Sequence, residues 1–196
     1  MTELKENRMN RFFQFIAAAA LAIFIAAAPN HASAQSGNYT VDEIVTAGHH
    51  FFGGVSTGLA KVVERAVSKY GLPNGYILGQ EGSGAFFAGA RYGEGTLYTK
   101  NAGELPVFWQ GPSIGWDFGG DGSRTMMLVY NLPTTDAMYR RYAGVNGSAY
   151  AIAGVGMTVL ANRNQYVVPI VSGVGARIGV NIGYLKFTRN PTWNPF

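Results

Sequence analysis

Apolar and polar residues follow two different periods along this chain, and the change falls at Gly75. Before it the period is helical. Thr40 reads as an N-cap with Glu43 as its capping-box partner, and a helix is predicted over residues 41–52, stopped by Gly53-Gly54. A second helix is predicted from about Thr57. There Leu59, Val62, Val63, Ala66, Val67 and Tyr70 form one apolar stripe, while Lys61, Glu64, Arg65, Ser68 and Lys69 fill the other side. Gly71 ends it and Pro73-Asn74-Gly75 makes a turn. The polar side is mixed in sign, which favours packing the stripe onto a core over laying it on a membrane.

After Gly75 the chain becomes short aromatic and β-branched runs punctuated by glycine. Strands are predicted at 76–81, 84–92, 95–99, 107–110, 113–118, 124–130, 149–160, 165–171 and 174–187. Pro133-Thr134-Thr135-Asp136 opens a short helix carrying Met138, Tyr139, Arg140 and Arg141 before Gly144. The runs stand too close together for helical crossovers, so the pairing is antiparallel. The predicted fold is mainly β: a small curled antiparallel sheet or closed β-barrel of about eight to ten strands, packed by two N-terminal helices and one short internal helix.

The first residues have another character. Arg8 and Arg11 precede an uncharged apolar run from Phe12 to Ala28, and Ala32-Ser33-Ala34 is a small-x-small cleavage site past Pro29. This is the anatomy of a secretory signal peptide, and the run is flanked wrongly for a stable anchor. The expected organisation is a signal peptide at 1–34, a helical segment at 35–71 and a β region at 72–196, the last two forming one domain. The expected location is the periplasm, in soluble form, after cleavage following Ala34. There is no cysteine, so neither a disulfide nor an N-terminal lipid is expected. A formal net charge of +4 over 196 residues is mild, and the basic residues are scattered, which argues against nucleic acid. A small outer-membrane barrel is the alternative architecture. Pro191 and Pro195 oppose it by breaking a terminal strand, and so do two helices that such a barrel does not need.

No catalytic set assembles from the sequence. Gly54-Val55-Ser56-Thr57-Gly58 matches a nucleophile elbow, but a helix precedes the serine and no histidine follows it, so Ser56 or Thr57 reads as a helix N-cap. His49 and His50 point about 100° apart on a helix and cannot share a metal. Glu81 and Glu94 are read as solvated strand-end carboxylates. Phe108, Trp109, Trp116, Phe118 and Tyr130 read as core, with Trp116 also a candidate for a ligand pocket. A repeated pattern stands out. Arg91, Asp117 and Arg177 each have glycine at i−2 and i+2, the same-face neighbours on a strand. One reading is a concave face carrying these charges in a small-residue lining, joined by Arg124, where arginine grips a phosphate or carboxylate. The other is a buried ion pair, or glycines placed for curvature.

Four stretches carry a family resemblance: Gly79-Gln80-Glu81-Gly82-Ser83-Gly84 with the strand after it, residues 111–120 with the apolar run Thr125 to Tyr130, residues 147–156, and residues 172–180. In this order, behind a signal peptide and two helices, the chain resembles the envelope integrity protein A family, and its β region resembles the SYLF-type lipid-binding fold. The resemblance implies a non-enzymatic role in keeping the cell envelope intact through a lipid or glycolipid. The expectation is therefore no catalysis, no cofactor and no metal. Lipid, lipopolysaccharide or another envelope component is the expected partner of a monomeric protein, with Arg91, Asp117, Arg124, Arg177 and Trp116 as ligand-binding candidates. The alternative from another class is a small periplasmic hydrolase acting on an envelope glycan or ester through Glu81, Glu94 or Asp117.

Overall fold

The Thr40 side chain accepts the Glu43 backbone N–H at 3.3 Å, and the Thr40 N–H donates to Glu43 Oε2 at 2.7 Å. This reciprocal box starts helix α1 (Val41–Phe52), which ends at Gly53 in the left-handed conformation. Helix α2 (Thr57–Tyr70) starts from Ser56, whose Oγ accepts the Leu59 N–H at 3.2 Å, and ends at Gly71. The computed structural model describes residues 37–54, 56–83, 90–112, 123–172 and 183–194, all within one compact unit, Ser36–Phe196. Among the described residues no helix is long and apolar enough to cross a membrane.

The described strands are β1 (Gly75–Ser83), β2 (Ala90–Thr99), β3 (Gly103–Pro112), β4 (Ser123–Tyr130), β5 (Arg141–Gly144), β6 (Tyr150–Ile152), β7 (Val155–Met157), β8 (Leu160–Asn162), β9 (Gln165–Ser172) and β10 (Tyr184–Thr188). Every pairing is antiparallel. Eight strands close in the order β1-β2-β3-β10-β5-β8-β9-β4, and β7 and β6 extend from β9. The fold is thus a closed antiparallel barrel with two extra strands and two helices, as the sequence pattern predicts.

Alternation along the strands divides the apolar residues between two cores. Ile77, Leu97, Trp109, Met127, Tyr142 and Phe187 belong to the cluster that fills the barrel. On the outer face of β4, Met126, Leu128 and Tyr130 meet Ile44 of α1 and Leu59, Val62, Val63 and Ala66 of α2. Strand β4 is buried on both faces, which explains its unbroken apolar run from Met126 to Tyr130. The stripe on α2 packs on the barrel rather than on a lipid surface.

Several predicted elements differ. The single strand expected over 149–160 is three short ones, because Ala153 (φ 48°) and Gly154 (φ 77°) turn the chain between β6 and β7, and Ser148 Oγ takes the Val159 N–H at 3.0 Å. The short internal helix is one 3-10 turn, Thr135–Met138, and Arg141 opens β5 instead of continuing it. The strand expected from 95 runs back through Gly93 to Ala90 without a break. The predicted strand 113–118, most of the predicted strand 84–92 and the first part of 174–187 lie outside the described residues. The outer-membrane alternative fails on the barrel's exterior, where Gln80, Glu94, Glu104 and Lys186 occupy outward positions that a lipid-facing band fills with apolar residues.

Candidate functional site

Strand register brings Glu81, Gly93 and Trp109 into one row across β1, β2 and β3. The row faces the barrel interior. Trp109 is fully buried, and its indole lies over Gly93, where a Cβ would collide with the ring. At Gly79, one row further in, a Cβ would stand 2.7 Å from the indole Cη2. These glycines make room for tryptophan. The indole N–H donates to Glu81 Oε2 at 2.7 Å. From the next row of β2, Arg91 Nη1 donates to Glu81 Oε1 at 3.3 Å, and the two charged side chains are each 14% exposed.

The remaining edge of the guanidinium is unusual. Among the described residues, Arg91 Nε and Nη2 are buried and meet no acceptor. Thr125 Oγ1, on the inward face of β4 opposite Gly79, is likewise buried without a partner among the described residues. Buried polar atoms are nearly always bonded, because leaving one bare costs its full desolvation. The interior thus changes along the barrel from an apolar core to a polar end. The strand ends Ser83, Ala90, Pro112, Ser123 and Ser172 all lie at that end, fixed by the registers Ser83↔Arg91, Ala90↔Pro112, Glu81↔Ser123 and Thr125↔Val171.

The five sequence candidates fare differently. Arg91 is inside the barrel at this polar end. Trp116, Asp117 and Arg177 lie outside the described residues. Arg124 does not join Arg91. Alternation turns it outward while Thr125 turns inward, and its Nη1 donates to the Phe51 carbonyl at 2.9 Å, at the C-terminal end of α1. A cation there complements the helix dipole. The partners Glu81 and Trp109 were legible as residues but not as neighbours of Arg91, since cross-strand register joins them.

The hydrolase candidates separate as well. Gln80, not Glu81, stands opposite Glu94, so the two carboxylates occupy opposite faces of the sheet. Ser56 Oγ serves the α2 cap, and His49 Nε2 lies 3.3 Å from the Ser56 carbonyl. Among the described residues no three His, Asp or Glu side chains gather as metal ligands do.

Two grooves flank the C-terminal segment on the outside of the barrel. One, of about 330 Å³, lies between Pro191-Thr192 and the region of Tyr92, Glu94, Phe108 and Gln110. The other, of about 560 Å³, lies on the opposite side of that segment and is bordered by Tyr139, Arg140, Arg141, Lys186 and Arg189.

No curated protein matches the chain. Among solved structures, the chain is similar to a β-barrel-like, uncharacterised protein from Brucella abortus. The two are 64% identical, with a TM-score of 0.78, and the match covers 82% of this chain and all of the other. The family model for envelope integrity protein A matches residues 37–196, the whole barrel and both helices, and the chain belongs to that family.

Proposed function

We propose that this protein maintains the cell envelope without catalysis, as a monomer in the periplasm after loss of residues 1–34, by holding an anionic group of an envelope lipid or glycolipid at the polar end of its barrel. The family supports the envelope role. The observation that carries the binding step is the Nε–Nη2 edge of Arg91, buried and without an acceptor among the described residues while Nη1 is held by Glu81. Those two N–H groups form the planar fork that suits a phosphate or carboxylate. Glu81, braced by the Trp109 indole, fixes the arginine so that the fork needs no ordering when an anion arrives.

Arg91→Lys tests this. Lysine keeps a positive charge for Glu81 but lacks the fork. Titration of the purified protein with glycerol phosphate is expected to show binding that the variant loses by about 1.5–3 kcal/mol, the worth of hydrogen bonds to a charged group, while its melting temperature stays close to that of the parent. In cells lacking the protein, the variant is expected not to restore detergent resistance. Glu94→Gln is expected to restore it fully. Equal binding by Arg91→Lys and the parent would remove the fork from the reading. Loss of complementation by Glu94→Gln with the fold intact would favour hydrolysis.

A further inference from the structure

The groove bordered by Tyr139, Arg140, Arg141, Lys186 and Arg189 lies on the outer face of β5 and β10, away from the Arg91 fork inside the barrel. Its cations are arranged. The Arg189 guanidinium lies over the Tyr139 ring at 4.5 Å, and that of Arg141 over the Tyr184 ring at 4.7 Å. Stacking presents guanidinium edges outward with little ordering left to do. Lys186 Nζ is tethered to the Asn194 carbonyl at 3.3 Å. Asp136 is paired with Arg189, and Arg140 stands exposed beside them.

One wall of the groove is Pro191-Thr192, and the next residue is Trp193. It is 77% exposed, far more than Leu72 or Val145, the other large apolar side chains exposed among the described residues. The exposure is built. The Trp193 ring packs edge-on to Tyr92 at 5.7 Å, and its carbonyl accepts the Tyr92 hydroxyl at 2.9 Å. A tryptophan held out of the core, on the same C-terminal segment that walls a row of cations, has the chemistry of a bilayer interface, where indole sits among headgroups and Lys and Arg meet lipid phosphate.

We infer that this face docks the protein on a membrane leaflet bearing anionic phospholipid, with Arg140, Arg141, Lys186 and Arg189 on headgroup phosphates and Trp193 in the interface. The inference does not rest on the Arg91 fork and can hold without it. The helices pack on the outer face of β4, so they leave this face of β5 and β10 clear.

Flotation of the protein with vesicles of phosphatidylcholine, alone or mixed with phosphatidylglycerol, tests the assignment. Binding is expected only to the mixed vesicles, falling as salt is raised, with a blue shift of tryptophan emission. The double variant Arg140→Glu, Arg141→Glu is expected to lose about ten-fold or more in vesicle affinity. Trp193→Ala is expected to weaken binding and abolish the shift. If charge reversal lowers the melting temperature, Arg140→Gln with Arg141→Gln replaces it, with a smaller loss expected. Unchanged flotation of the arginine variants would overturn the assignment. So would failure to bind mixed vesicles, including the case in which glycerol phosphate or inorganic phosphate protects Arg140 and Arg141 from modification while vesicles do not bind.

Discussion

The indole of Trp109 takes the space that a side chain at position 93 would need, and its N–H fixes one oxygen of Glu81, which in turn holds Arg91. Position 93 is therefore decided by a residue on the neighbouring strand. Gly93→Ala is expected to destabilise the fold by about 3 kcal/mol, since the ring is fully buried and has nowhere to retreat. With Trp109→Leu in place, the same change is expected to cost less than about 1 kcal/mol, and a double-mutant cycle on denaturant midpoints reads the difference. Gly82→Ala, with nothing within 4 Å of its Cβ, is the control and should be near neutral. The same pair shows what was legible at this scale. The glycine spacing around Arg91 predicts room on its face of the strand, and of the two glycines Gly89 lies outside the described residues. On the Gly93 side tryptophan fills that space, and which strand lies beside which is not written in a local pattern.

At the scale of elements, the helices were readable to the residue because caps and stripes are local. The box at Thr40, the Gly53 stop and the Ser56 cap all fall where short-range chemistry puts them. Strands were less readable where non-local partners set their ends. Strand β5 forms because β10 and β8 flank it, and its sequence, Arg-Tyr-Ala-Gly, suits a helix end equally well. The α1 box supports a pH prediction. The Thr40 backbone N–H, then the Lys100 ammonium, hold the Glu43 carboxyl below its ordinary value of 4.5. A carboxyl depressed in the folded state adds stability that is present above 4.5 and fades as pH falls through the lower folded value. Thr40→Ala is expected to cost about 1 kcal/mol at neutral pH. Glu43→Gln is expected to flatten the acid limb of stability against pH, measured by urea midpoints from neutrality downward, while Thr40→Ala, which keeps the backbone N–H and Lys100 on the carboxyl, should leave most of that limb in place.

At the scale of the molecule, the barrel interior sets the alkaline limit. Tyr142 is buried, its hydroxyl 3.1 Å from both the Ala137 carbonyl and Gln165 Oε1, and burial pushes its phenol up to about 12 from 10.0. Burial raises the Tyr130 phenol as well. A group kept protonated by the fold contributes stability that is whole below 10 and lost as pH rises from 10 towards 12. Base unfolding is therefore expected to begin above pH 10, with tyrosine ionisation, followed by ultraviolet absorbance, arriving together with loss of circular dichroism. Tyr142→Phe should shallow that slope while losing about 1 kcal/mol at neutral pH. Barrel closure has a further consequence, in time rather than energy. Among the described strands β10 comes last and is the only bridge between β3 and β5, and it joins residues as far apart as Gln110 and Thr188, 78 positions away. Until β10 emerges, those two strands keep open edges and the circle cannot shut. Contacts that long make folding slow. The polypeptide stays loose until its final segment is available, so a chain that has not yet released β10 can still be drawn out as an open strand. It locks into shape only when that last strand docks.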